Sequence, residues 1–184
     1  MSVNHPLRRP SAPDTHRRKL FLRFQLGGER YVLAASDIES VLALAPMRRI
    51  ASAPDWVTGV LPYRGNPVPV IDLSLRTIGV AAHAVTSTRL VMVYFRFREN
   101  GEPHIAATGE TTRLLGLIIE HVNETVHLDA TAFVAPGIQT PQARYLGPVL
   151  KEAEGYVQWL RVEDLLDPAL RVALFAASDT EAGV

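Results

Sequence analysis

From Leu20 onward the chain alternates. Leu20, Leu22, Phe24 and Leu26 are separated by Phe21, Arg23 and Gln25, a period of two that predicts a half-buried strand with its apolar set on one face. Gly27 and Gly28 turn it, and Tyr31 to Leu33 returns as the partner. Ser36 or Asp37 then caps a predicted short helix carrying Ile38, Val41 and Leu42 on one side. Met47 to Ile50 reads as a brief extended segment. Next come two apolar runs, Val57 to Leu61 and Val68 to Leu73, flanking Arg64, Gly65 and Asn66; the pattern predicts a β-hairpin with Arg64 at its tip. Gly65 and Asn66 both tolerate the positive φ that a two-residue turn needs. Pro62, Pro67 and Pro69 donate no ladder hydrogen bonds, which places the hairpin at an edge, a bulge or a barrel corner.

After Leu73 the pattern predicts a short helical turn through Leu75 and Ile78, then a loop of small residues near Ala81 to Ser87. Arg89 to Phe97 and Arg113 to Glu120 are strands rich in β-branched, aromatic and aliphatic residues, joined by an elongated polar hairpin loop from Glu99 to Thr112. Asp129 to Phe133 suggests a helical turn, and Ala135 to Ala143 a loop. A last hairpin pairs Tyr145 to Lys151 with Tyr156 to Arg161 around Glu154 and Gly155, and Val162 to Leu166 starts a closing helix. This hairpin echoes the central one, since each leads into Asp-Leu, at Asp72-Leu73 and Asp164-Leu165. Two similar small barrels side by side would leave such an echo.

With 184 residues, 47% of them hydrophobic, the chain folds without staples, and with no Cys it has neither disulfides nor thiolate chemistry. The net charge is zero, which argues against a nucleic-acid binder. Positive charge is concentrated at the start, where Arg8, Arg9, Arg17, Arg18 and Lys19 face only Asp14. Residues 1–19 therefore read as a disordered basic tail, without the apolar core of a secretory signal. No apolar run reaches the length of about 18 residues that would mark a membrane-spanning helix.

Catalytic chemistry finds little support. No nucleophile elbow, phosphate loop, dinucleotide fingerprint or His-Glu-x-x-His motif is present. His121 and His127 are six apart, a spacing that does not share one helical face as a metal pair would. Asp72, after an apolar strand, reads as a helix cap rather than a catalytic carboxylate. The expectation is a non-enzymatic chain with no catalytic residues, cofactor or metal. Trp56 and Trp159 are open to two readings, core packing or a partner hot spot.

Gly59, Val60, Arg64, Gly65, Val68, Pro69, Val70, Ile71, Asp72 and Leu73 together resemble the signature of the CheW-type coupling proteins of bacterial chemotaxis arrays, with Pro62 where that signature has Asn. The resemblance implies a mainly β fold, a pair of packed five-stranded SH3-like β-barrels with short helices, over residues 20–166, followed at 167–184 by a helix end and a frayed tail. It further implies an adaptor, cytoplasmic and recruited to membrane-associated receptor arrays. Its partners would be the cytoplasmic tip of a chemoreceptor and the regulatory domain of a CheA-type histidine kinase, with no nucleic acid and no membrane insertion. By position, Leu22, Ala35, Ile38 and Val41 match the residues of a receptor-binding groove, with Arg64 beside it; each of the four is also a candidate for the core. Ser40 stands where the family often has Glu. Tyr63-Arg64-Gly65, Ser87 to Val91, Tyr145 to Val149 and Gln158-Trp159 are most similar to coupling proteins of Wsp-type surface-sensing pathways, whose output controls cyclic-di-GMP synthesis. The competing reading is a small β-barrel that binds a ligand or single-stranded nucleic acid, and it requires interleaved Phe, Tyr and Arg on one exposed face, which only Val93 to Arg98 approaches.

Overall fold

The computed structural model describes residues 17–98, 110–122, 124–137 and 140–181. Among the described residues ten segments pair into strands. In chain order these are β1 (Arg18–Leu26), β2 (Glu29–Ala34), β3 (Ile38–Leu42), β4 (Val57–Tyr63), β5 (Asn66–Asp72), β6 (Arg89–Arg98), β7 (Glu110–Ile119), β8 (Glu124–Asp129), β9 (Leu146–Glu152) and β10 (Gly155–Leu160). Helix α1 (Leu73–Ile78) follows β5, and α2 (Pro168–Glu181) ends the described chain.

The strands form two five-stranded sheets, ordered β8-β1-β2-β10-β9 and β3-β6-β7-β5-β4. Matching β1 through β5 with β6 through β10 makes the two orders identical. Each half of the chain thus repeats the other and is divided between the sheets, its first two strands in one and its last three in the other, so the halves are interlocked. The parallel pairs match as well: β10 lies on β2 through Val157, Gln158 and Trp159, and β5 lies on β7 through Val70, Ile71 and Asp72. Each sheet also curls until its edges meet. Downstream of β3, Arg48 bridges Val60 of β4, and downstream of β8, Val134 bridges Val149 of β9. The echo between the hairpins is the trace of this duplication.

Among the described residues, three apolar clusters hold the structure. The largest lies between the sheets and takes Leu22, Phe24 and Leu26 from one, Val91, Val93, Phe95, Leu115 and Leu117 from the other, and Leu174 and Phe175 from α2. Smaller clusters fill each sheet's concave side: Phe21, Val32, Ala34 and Val157 in the first, and Leu61, Val68, Val70, Leu90 and Met92 in the second. Strands with two covered faces explain why the expected one-sided pattern of β1 does not hold. Phe21, expected on the polar side, is fully buried, while Leu20 is exposed.

Other expectations change for local reasons. The helix expected after Ser36 is a 3-10 turn, Ala35–Asp37, leading into β3; Ser40, Val41 and Leu42 pair with Met92, Val91 and Leu90 of β6, and that ladder overrides helix capping. The strand β1 begins at Arg18, opposite Asp129, so Arg18 and Lys19 leave the expected tail; residues 1–16 lie outside the described residues. Strand β7 begins at Glu110 and absorbs the last residues of the expected loop, and 99–109 lie outside the described residues. Val162–Asp164 is a 3-10 turn. The closing helix starts at Pro168, and Leu174 and Phe175 bury it in the shared core, so the fold extends past the expected boundary at 166. The expected frayed end lies partly beyond the described residues, at 182–184. Strand β8, which no pattern predicted, completes the first sheet. No described helix is long and apolar enough to cross a membrane.

Candidate partner-binding surface

The β4–β5 hairpin turns through two residues. Tyr63 pairs with Asn66, leaving Arg64 (φ 50°) and Gly65 (φ 79°) in the left-handed region, the pattern of a type I′ turn. The turn therefore sits one residue earlier than expected, and Arg64, not Asn66, takes the unfavourable conformation. Asn66 belongs to β5 and its side-chain amide donates to the Arg64 carbonyl at 3.3 Å. The prolines fall where ladder bonds are dispensable. Pro62 on edge strand β4 faces Pro67, and the pairing of β5 with β7 covers Val70 to Asp72, beyond Pro67 and Pro69.

The tip folds back onto β3. Arg64 donates from Nη1 to Glu39 Oε1 at 2.6 Å, with its own side chain 70% exposed and that of Glu39 only 10%. The Tyr63 hydroxyl donates to Glu39 Oε2 at 2.7 Å and lies 3.0 Å from Ser40 Oγ. The guanidinium sits 5.0 Å from the centre of the Tyr63 ring. Hydrogen bonds from Ser40 and Tyr63, and then the charge of Arg64, hold the Glu39 carboxyl below its ordinary pKa. The carboxylate that the resemblance would put at 40 is supplied by its neighbour at 39, and Ser40 joins the same network.

The other predicted residues occupy different depths. Val41 is 44% exposed on β3, while Ile38 is half-buried against the shared core. Ala35 lies in the 3-10 turn next to Ala34, which pairs with Phe21. Leu22 is 6% exposed and belongs to the shared core, so it offers no surface of its own. Sequence reasoning missed Glu39 and Tyr63. The only signal was a tyrosine beside Arg64 and an acid beside Ser40, and nothing local says that strands so far apart in sequence meet.

A second polar network fixes the segment after α1. Asp72 caps α1 by accepting from Leu75 N at 2.9 Å and also accepts from Ala82 N at 2.9 Å. Glu120, buried, accepts from His83 N at 2.7 Å and from Ser74 Oγ at 3.3 Å, and lies 3.0 Å from His83 Nδ1. Burial pushes the Glu120 carboxyl up, but the bonds from His83 and Ser74 outweigh it and leave the pKa below its ordinary value. Among the described residues no group of three or more His, Cys, Asp or Glu is arranged to hold a metal. Trp159 packs edge-on against Phe21 at 4.9 Å, and Trp56 stacks under Arg76, 4.1 Å from Cζ. On β6, Phe95 is buried, Phe97 stacks on Phe175 at 5.9 Å, and Arg96 is paired with Asp37 at 2.9 Å.

Two interlocked five-stranded β-barrels with a basic hairpin tip clamped to a neighbouring edge define a paired-barrel binding module. The chain belongs to the CheW-like domain family, whose sequence profile matches residues 20–169. It is 26% identical over 110 residues to the chemotaxis protein CheW of Klebsiella aerogenes, a match that takes in 60% of this chain and 57% of that protein, so it spans little more than half of that relative's length. It is 22% identical over 147 residues to the CheW of Helicobacter pylori, covering 79% of this chain and 80% of the other. The crystal structure of the scaffolding protein TtCheW from Thermoanaerobacter tengcongensis superposes with a TM-score of 0.65 at 21% identity, over 90% of this chain and 94% of that one, and so shares the fold.

Proposed function

We propose that this chain is a non-enzymatic chemosensory adaptor that joins the cytoplasmic tip of a chemoreceptor to the regulatory domain of a CheA-type histidine kinase. Family membership supports the coupling role, and the observation that carries the receptor site is the clamp between Arg64 and Glu39, which fixes a cation beside Val41 and Ile38 on β3. An amphipathic helix is recognised by an apolar strip with charge at its border, and Ala35, Ile38 and Val41 supply the strip. The kinase domain takes a separate surface, and both contacts recruit the chain from the cytoplasm to membrane-associated arrays.

The finer reading is a Wsp-type pathway with cyclic-di-GMP output. The experiment has two parts. Titration of the chain with a helical-hairpin receptor fragment and with the kinase regulatory domain, singly and together, is expected to give a ternary complex in which neither partner displaces the other; mutual displacement contradicts the adaptor role. Reconstitution with the host's kinase then reads whether the phosphorylated regulator makes cyclic-di-GMP or not.

A further inference from the structure

We propose that Tyr63 is a positioning residue for Arg64, and that its hydroxyl and ring together set the orientation in which the guanidinium meets the receptor; the inference rests on the receptor reading above. Arg64 is mostly exposed, and on a two-residue turn its long side chain would otherwise sample many rotamers at a large entropy cost on binding. Two contacts remove that freedom. The Tyr63 hydroxyl takes one oxygen of Glu39, at 2.7 Å, and leaves the other for Arg64, at 2.6 Å. A carboxylate open on both oxygens would accept a guanidinium in several bidentate and monodentate poses, and one already committed to a phenol presents a single acceptor. From the other side, the face of the same tyrosine ring lies 5.0 Å from the guanidinium carbon, within the range of a cation–π contact. Tyr63 is itself held, since its ring packs against the interior cluster of the second barrel and its oxygen lies 3.0 Å from Ser40 Oγ. The strained turn, the half-buried ring and the shared carboxylate therefore fix one exposed cation. A merely structural tyrosine needs its ring and not this hydroxyl.

The test uses Tyr63→Phe, which keeps the ring in the core, beside Arg64→Ala and the double variant, all in the full chain. In the free protein, carboxyl NMR of Glu39 is expected to show its titration midpoint moving up in Tyr63→Phe, because a donor to the carboxylate is gone; no movement overturns the positioning role. With a helical-hairpin receptor fragment, Tyr63→Phe is expected to weaken binding about tenfold, as for loss of one hydrogen bond to a charged group, and to weaken it no further once Arg64 is Ala. An equal loss in both backgrounds overturns the proposal, since Tyr63 would then act independently of Arg64. If the Glu39 midpoint moves while neither variant changes binding, the clamp stands and the receptor reading fails.

Discussion

Arg48 and Val60 exchange both of their backbone hydrogen bonds, Arg48 N to Val60 O at 3.0 Å and Val60 N to Arg48 O at 2.7 Å, and through them the second sheet becomes a closed barrel. Closure is possible because the preceding residue is Gly59, whose φ is 151° and whose place leaves no room for a side chain: a Cβ there would lie 2.2 Å from the Arg48 carbonyl oxygen. A backbone atom cannot step aside as a flexible side chain would. Gly59→Ala is expected to destabilise by about 3 kcal/mol or more. Gly65→Ala, at φ 79° with nothing within 4 Å, is expected to cost about 1 kcal/mol from the left-handed backbone alone. Urea denaturation of the two variants checks both values, and equal costs would show that the bridge tolerates a side chain.

The Glu120 network carries a pH dependence of definite sign. Its carboxyl has a folded pKa below the ordinary 4.5, so the charged form is favoured by folding. That stability is present above the ordinary value and is lost as pH falls through the folded one. Melting temperature should therefore drop, as pH falls below the ordinary 4.5, by more in the wild type than in Glu120→Gln. At neutral pH the variant should itself be less stable by about 2 kcal/mol, since His83 N and Ser74 lose a charged acceptor. Parallel profiles for the two proteins would contradict the assignment.

Arg76 lies between two aromatic rings, 4.1 Å from that of Trp56 and 4.8 Å from that of Tyr145, so that α1 is tied to the lead-in segments of both hairpins. Arg76→Ala is expected to cost about 2 kcal/mol, as for a cation–π contact out of water. Arg76→Lys should recover only part of this, because an ammonium does not stack. Denaturation followed by tryptophan fluorescence checks the order of the three proteins.

Both hairpins, the strands β6 and β7, and the Asp72 cap were legible because turn residues and period-two runs are local signals. The strand exchange was not: Ile38 to Leu42 carries apolar residues compatible with a helix face, and only the ladder to β6, contributed from far along the chain, decides for a strand. For the same reason β8 went unseen, since Glu124, Thr125 and His127 make its sequence polar and its pairing with β1 is what holds it. At the candidate site, Arg64 was legible through a motif and Val41 by its position. The acid that orients Arg64 was not, because the contact spans strands joined by a long connection.

Arg64 occupies a backbone conformation that favours Gly or Asn, at φ 50°. Arg64→Asn should therefore fold as well as the wild type or better, by up to about 1 kcal/mol, because the Arg64 side of the ion pair is exposed and Glu39 keeps its bond from Tyr63. Receptor binding should nonetheless fall. A thermal melt beside a receptor titration checks this opposition, and a melting temperature that drops with binding would show Arg64 to be part of the turn's stability instead.

The proposed receptor surface on β3 is tested most directly by Val41→Asp. Val41 is exposed and belongs to none of the three apolar clusters, so a charge there should leave the fold intact while placing an unpaired carboxylate in the path of an apolar helix. Titration of the variant with a helical-hairpin receptor fragment and with the kinase regulatory domain, beside a thermal melt, is expected to show receptor affinity reduced by about 30-fold or more, with kinase affinity and melting temperature unchanged. Receptor binding equal to that of the wild type would contradict the account.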